Sequence, residues 1–427
     1  MLREESASAS TEGGPSPRAF AYRDYRFFWA ATNLTSFAAQ IMGITVALQV
    51  YLITRDQFML GLVGLSTFTP AFLLVLVTGL VADRFNRRLI IAIAGSVEFI
   101  CAMGLLVYSL VGTAGVWPVF MFLAVIGSAR AFTGPAASSL APNIVPTPAL
   151  ASAISLTASA WQIANIIGPV VGGVLASISL QLAFGTAGLF SLLAVGSVLM
   201  IAAPKHRVSN AATSVNTLLA GFHYIWHEKV VLGAISLDLF AVLLGGATAL
   251  MPVFALDVLH VGATGLGFMR AAPGLGAIPV ALFLARSPVR DRAGRILFSF
   301  VALFGLFTLL FGISPSIWLS FPLLMLMGAC DMVSVSIRET LMQLWTPDDV
   351  RGRVNAVNSV FIGASNELGE FRAGTMGKII GSLLGSAPLG AIIAVAAGGG
   401  ATMAVALIWS IAFPKLREAR RLDRREA

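Results

Sequence analysis

The sequence predicts an all-α, polytopic membrane protein whose twelve transmembrane helices form two pseudo-symmetric six-helix bundles. Three observations carry this. The 427 residues are 57% hydrophobic and only 11% charged, with a mean hydropathy of +0.87, where soluble domains carry roughly 25% charged residues. Apolar windows of about 20 residues, enough to cross the hydrocarbon core, recur twelve times. The two halves of the chain also resemble each other at one constant offset.

A soluble protein of this length could not bury so much apolar surface. The 42 Gly and 19 Pro fit membrane helices rather than disorder, because disordered chains are poor in aliphatic residues. Cys101 and Cys330 both sit in apolar runs, so neither a disulfide framework nor a Cys/His metal cluster is expected.

The predicted spans run from Phe27 to Leu52, Phe58 to Val81, Leu89 to Val111, Trp117 to Ser139, Ala151 to Ile178 and Leu182 to Ala203. After a polar stretch come Val231 to Ala255, Leu266 to Ala285, Ile296 to Ile313, Ile317 to Leu341, Val354 to Leu384 and Leu389 to Phe413. The organisation that follows is a tail (1–26), a first bundle (27–203), a linker (204–230), a second bundle (231–413) and a basic tail (414–427). Short breaks between spans predict antiparallel packing of neighbours.

Orientation follows from Lys and Arg. Most of the 28 basic residues fall in the two tails, in the loops after spans 2, 8 and 10, and in the linker. The opposite loops hold only Arg55. Both termini are therefore expected in the cytoplasm, and the net charge of +8 reflects topology rather than nucleic-acid binding. Met1 to Ala19 is polar and unlike a cleavable signal peptide.

Two segments look interfacial. Val215, Leu218, Leu219, Phe222, Ile225 and Trp226 form one apolar stripe at helical spacing, suited to lying along a membrane surface or to packing on the bundle. The stretch from Ala21 to Phe28 reads similarly.

The internal repeat aligns Ala149–Gly173 with Val350–Gly374. Asn165 matches Asn366, Gly168 matches Gly369, Gly173 matches Gly374 and Pro146 matches Pro347. Asp83-Arg84 after span 2 is echoed by Asp291-Arg292 after span 8. Six plus six spans with both ends on one side imply halves related by an axis along the membrane normal.

Gly79-Leu80-Val81-Ala82-Asp83-Arg84-Phe85-Asn86-Arg87-Arg88 resembles the signature between spans 2 and 3 of the major facilitator superfamily, with Asn86 in place of its second glycine. Asn suits that place because it best tolerates a left-handed backbone after Gly. Arg130 to Ala137 is similar to the span 4 signature, and Gly168-Pro169-Val170-Val171-Gly172-Gly173 to the antiporter signature of span 5, whose two upstream glycines are Ser155 and Ala164 here. Thr346 to Arg353, followed by Asn366 to Arg372, resembles the enterobactin-exporter-like branch. The resemblance implies export from a bacterial inner membrane driven by protons, with no cofactor. It leaves the cargo open, as a siderophore, drug or other small amphipathic metabolite.

A charge at the bilayer centre costs between about 3 and more than 10 kcal/mol, so each needs a partner, a wet cavity or a function. Glu367 and Glu370, three apart, share one helical face. Carboxylates that close repel each other, so one of them is a candidate proton carrier. The alternative is structural neutralisation by Arg130, Arg372 or a helix end. Arg130 matches a position that the family associates with proton transfer, and could equally form a permanent ion pair. Glu98, alone near the centre of span 3, is a weaker proton-site candidate. Asp238, Arg270, Asp331 and Arg338 read as structural charges that pair with one another across helices.

Asp83, at the end of span 2, is a candidate latch. With Arg84, Arg87 and Arg88 it could make contacts that exist in only one conformation and so bias the equilibrium between states. Substrate-cavity candidates are Gln40, Gln49, Trp161, Asn165 and Asn366, with Gln162 and Asn358 beside them. Amides can bond a substrate or a neighbouring helix. No phosphate loop, zinc-type His pair or nucleophile elbow is present, so an enzyme is not expected. The expected partners are a small-molecule substrate and the lipid bilayer, with the protein acting as a monomer. A facilitator or importer on the same fold, or a non-transporting scaffold or sensor, remains the alternative.

Overall fold

The computed structural model describes residues 18–112, 115–202, 222–289 and 291–418. Its first half contains α1 (Arg23–Thr54), α2 (Gln57–Arg84), α3 (Arg87–Val111), α4 (Trp117–Ile144), α5 (Thr147–Ile178) and α6 (Leu180–Leu199). The second contains α7 (Lys229–Gly245), α8 (Gly262–Arg286), α9 (Ala293–Gly312), α10 (Ile317–Trp345), α11 (Asp348–Leu384) and α12 (Ala387–Ala412). Among the described residues, 11 helical segments are long and apolar enough to cross a membrane. The remaining helix, α11, is the longest at 37 residues. Its charged residues dilute its hydropathy, and those charges prove to be the informative ones.

Most turns are set by identifiable caps. Asp56 Oδ1 accepts from Phe58 N at 2.9 Å to start α2, while Arg55, at φ 48°, ends α1. Ser179 starts α6 by accepting from Leu182 N at 3.0 Å. Asn86 departs from expectation. Its backbone is extended (φ −63°, ψ 111°), not left-handed, and its side chain accepts from Arg88 N at 3.0 Å. It is the N-cap of α3. Asn86→Ala should therefore cost about 1 kcal/mol and Asn86→Gly only a few tenths, measured by thermal unfolding in detergent.

Span 7 is corrected by the structure. Its helix stops at Gly245 and resumes as a 3-10 turn at Thr248–Leu250, one α turn at Met251–Val253 and a π turn at Phe254–Val258. Hydropathy continues across the Gly245-Gly246 pair, so apolar counting alone could not see the break. Arg372 of α11 repairs it. Its Nε donates to the carbonyl of Leu243 at 2.9 Å, placing a cation at the negative end of the α7 dipole.

Packing between sequence neighbours follows expectation only in part, as for α3 with α4, α9 with α10 and α11 with α12. α1 packs chiefly on α5 and α6, α2 on α4, and α3 on α4 and α6, whereas α2 barely meets α3. The second half repeats the scheme six helices on: α7 with α11 and α12, α8 with α10, and α9 with α10 and α12. The halves meet mainly where α5 crosses α8 and where α2 crosses α11.

Both crossings are built on glycine. A Cβ on Gly173 would stand 2.6 Å from the carbonyl oxygen of Ala263 and 2.8 Å from Gly267 Cα. One on Gly374 would stand 2.5 Å from the carbonyl oxygen of Gln57 and 2.9 Å from Gly61 Cα. Backbones this close are the usual solution for tight helix packing in lipid. The repeat partners Gly168 and Gly369 share a job too. A Cβ on Gly168 would meet Gln40 Cβ of α1 at 2.6 Å, and one on Gly369 the carbonyl oxygen of Val242 of α7 at 2.8 Å.

The Ala21 to Phe28 stretch is not a surface helix. It leads into α1, with Tyr25 fully buried and its hydroxyl donating to the carbonyl of Ala153 at 2.8 Å. Most of the linker stripe (Val215, Leu218 and Leu219) lies outside the described residues, but 222–227 is helical. Ile225 is buried against Val231, Met342 and Val357, while Phe222 and Trp226 stack on each other and stay exposed. This end of the linker packs on the bundle through one face and leaves the other face open.

Candidate functional site

A cavity of about 360 Å³ lies between the halves. Gln40 and Ile44 of α1, Leu60, Val63, Gly64 and Thr67 of α2, and Arg130 of α4 face it from the first half. Thr248 and Pro252 from the broken continuation of α7, Leu266 and Arg270 of α8, and Glu367 and Glu370 of α11 face it from the second. Apolar side chains alternate there with convergent polar and charged groups, a combination suited to holding a small molecule.

One turn of α11 projects both glutamates into this space. Glu367 Oε2 is buried with no hydrogen-bond partner, and a Cβ on Gly64 would collide with that oxygen. Gly64 thus makes room on α2 for a carboxylate arriving from the other half. Neither expected neutraliser reaches the pair. Arg130 instead holds Glu98, with Nε 3.5 Å from Oε1, and Arg372 is occupied at the end of α7. Glu98 is therefore not isolated. It is buried, and it is the counter-ion of the one first-half arginine in the cavity.

Arg270 also sits elsewhere than expected. It lines the cavity beside the glutamates rather than joining Asp238, Asp331 and Arg338. Arg338 and Asp238 do form a largely buried ion pair, and Asp331 of α10 is close enough to interact electrostatically with both. Arg338→Met alone should cost about 3–5 kcal/mol because it strands a buried carboxylate, and adding Asp238→Leu should restore much of that, read as thermal stability in detergent.

Of the amide and aromatic candidates, Gln40 faces the cavity, and Asn165 stands behind it and accepts its amide hydrogen bond. The others do not line it. Trp161 is 57% exposed on α5, Asn366 is exposed on α11, and Gln49 is buried with an unpartnered Oε1. Thr67 and Thr248 are lining residues that the sequence reading missed. Thr67 resembles any helix-bound threonine, and Thr248 is placed by the break in α7.

The Asp83 side chain lies outside the described residues. Arg87 donates to the carbonyl of Ser139 at 3.0 Å and Arg88 to that of Leu199. Both arginines thus bind helices of their own half, α4 and α6, with Arg88 at a helix C-terminus where cations are favoured. Contacts between the halves were found at the other end. Arg55 Nη1 lies 3.0 Å from Asp257 Oδ1, the Tyr51 hydroxyl donates to Asp257 Oδ2, and Lys378 Nζ lies 2.9 Å from Asp56 Oδ2. Gln57 donates to the carbonyl of Ala387 at 2.5 Å. Both glycine crossings lie towards this same end.

The profile of the transmembrane secretion effector family, a branch of the major facilitator superfamily, matches residues 16–419. The chain belongs to this family. Curated relatives of this secretion effector include the enterobactin exporter EntS of Shigella boydii serotype 18, 25% identical over 78% of this chain and 80% of that protein. EntS of Escherichia coli O157:H7 is 24% identical over the same shares. Among solved structures, a bacterial homologue of the human lysosomal transporter Spinster, inward-facing and unoccupied, superposes with a TM-score of 0.69 at 16% identity, covering 95% of this chain and 98% of that one. A POT family transporter in complex with 5-aminolevulinic acid superposes at 0.71 and 13% identity, covering 92% and 97%. The fold is that of major facilitator transporters, and the secretion effector is a multi-pass membrane transporter rather than an enzyme.

Proposed function

We propose that the protein exports a small amphipathic molecule across the bacterial inner membrane by alternating access, exchanging it for protons that load on Glu367 or Glu370. The observation that carries this is the glutamate couple, two carboxylates sharing the single cation Arg270, in a cavity lined by both halves. Two carboxylates held there against one arginine cannot both be matched, so one must change its charge or its exposure when the cavity changes sides, and that requirement is what couples protons to movement. The proton gradient supplies the energy, and no cofactor takes part. A siderophore is the first cargo to test, given the EntS relatives.

The moving bodies in this reading are bundles at 27–203 and 231–413, joined by the linker at 204–230 and flanked by tails at 1–26 and 414–427, with the protein working as a monomer. Both termini and the basic loops lie in the cytoplasm, so the Arg55–Asp257 and Lys378–Asp56 pairs close the extracytoplasmic end in this conformation. Asp83 with its neighbouring arginines latches the cytoplasmic end in the opposite state. Asp238, Asp331 and Arg338 serve structure.

Purified protein in liposomes with an imposed pH gradient tests the proposal. Solute movement coupled to proton flux is the expected result. Flux that ignores the pH gradient would make the protein a facilitator, and no flux of any candidate cargo would point to a scaffold or sensor.

A further inference from the structure

The cavity lining carries two arginines, Arg130 and Arg270, and two glutamates, Glu367 and Glu370. Arg130 is already matched by Glu98, which leaves Arg270 alone against Glu367 and Glu370. With both glutamates ionised, one negative charge is in excess, and Glu367 Oε2 is a buried acceptor with no donor. The facing wall of α1 and α2 carries the apolar side chains of Ile44, Leu60 and Val63, with Gln40 and Thr67 beside them. A ligand that completes this surface brings a positive group to α11 and an apolar body to α1 and α2.

We propose that the cavity takes an amphipathic organic cation, with its positive group at Glu367 and Glu370 and its apolar part against the α1–α2 wall. This deepens the transport reading above and rests on the same cavity. It also explains the sign of the coupling. A cation and a proton compete for the same carboxylates, so each displaces the other, and displacement is what exchange requires. An anion held by Arg270 would instead bind better when the glutamates are protonated, and would travel in the same direction as the proton.

The test uses the full chain in lipid nanodiscs, with tetraphenylphosphonium as a permanent cation and tetraphenylborate as its anionic counterpart of matching shape. The cation should bind, release protons into a weakly buffered medium, and bind about tenfold more tightly per pH unit gained until the carboxylates are ionised. Glu367→Gln with Glu370→Gln should abolish both binding and proton release. Preferential binding of tetraphenylborate, cation binding that ignores pH, or binding of neither would overturn the proposal, whether or not the double variant folds. Binding with proton release but no movement in liposomes under a pH gradient would sink the transport reading and leave this one standing. Gradient-driven movement of other solutes without cation binding would do the reverse.

Discussion

Replacing Glu367 and Glu370 together by Gln is expected to lower pH-gradient-driven transport in liposomes by roughly a hundredfold while leaving membrane insertion intact. The size follows from burial. An ionised carboxylate near the bilayer centre is disfavoured by about 3 kcal/mol at the least, which is about a hundredfold in an equilibrium, and a neutral amide never experiences that switch. Single variants should divide the effect unequally, since a Cβ on Gly64 would collide with Glu367 Oε2 while Glu370 Oε2 would lie farther off, at 3.4 Å. Unaltered proton coupling in both single variants would remove the glutamates from the mechanism. The expected sign is specific: residual flux in the double variant should follow the solute gradient and ignore pH.

The second large effect is expected at the glycine crossings. Gly374→Leu drives a side chain into the backbone of α2 near Gln57 and Gly61, and Gly173→Leu does the same to α8 near Ala263 and Gly267. Overpacking of this kind costs roughly 1–3 kcal/mol, about a five- to hundredfold shift in the balance of states. The strain falls only on the conformation in which the crossing is closed, so either substitution should open the end that carries Arg55 and Lys378. Spin labels at Leu52→Cys and Leu383→Cys, both exposed positions in opposite halves, would read the change as a longer distance. Cys101 and Cys330 are buried and should stay unlabelled. An unchanged distance distribution in both variants would mean that these crossings do not close the gate. Because Gly173 and Gly374 are repeat equivalents, the two variants should behave alike.

Much of this was legible in the sequence, and the reasons are physical. Spans could be read because the bilayer demands long apolar windows. The glutamate pair could be read because a spacing of three residues fixes a common helical face. The repeat could be read because glycines at close crossings admit no substitute. Orientation towards neighbouring helices could not be read. Residue type groups Arg270 with Asp238 and Arg338, because span numbering says nothing about which face of α8 meets which helix. Trp161 and Asn366 are plausible by residue type, yet both are exposed and neither lines the cavity. The contacts that close one end join residues distant in the chain, Asp56 to Lys378 and Arg55 to Asp257, and no local pattern announces them. Asn86 is the instructive small case. A residue compatible with the motif's left-handed turn was present, and the chain used it as a helix cap.

The duplicated halves are not mechanically equal. α1 is one uninterrupted rod of 32 residues, while its counterpart α7 ends at Gly245 and restarts through short irregular turns braced by Arg372. Bending should therefore concentrate on one side of the molecule. The intact copy acts as a stiff reference, and its jointed twin can flex beside the glutamates without disturbing the amides anchored to the rod.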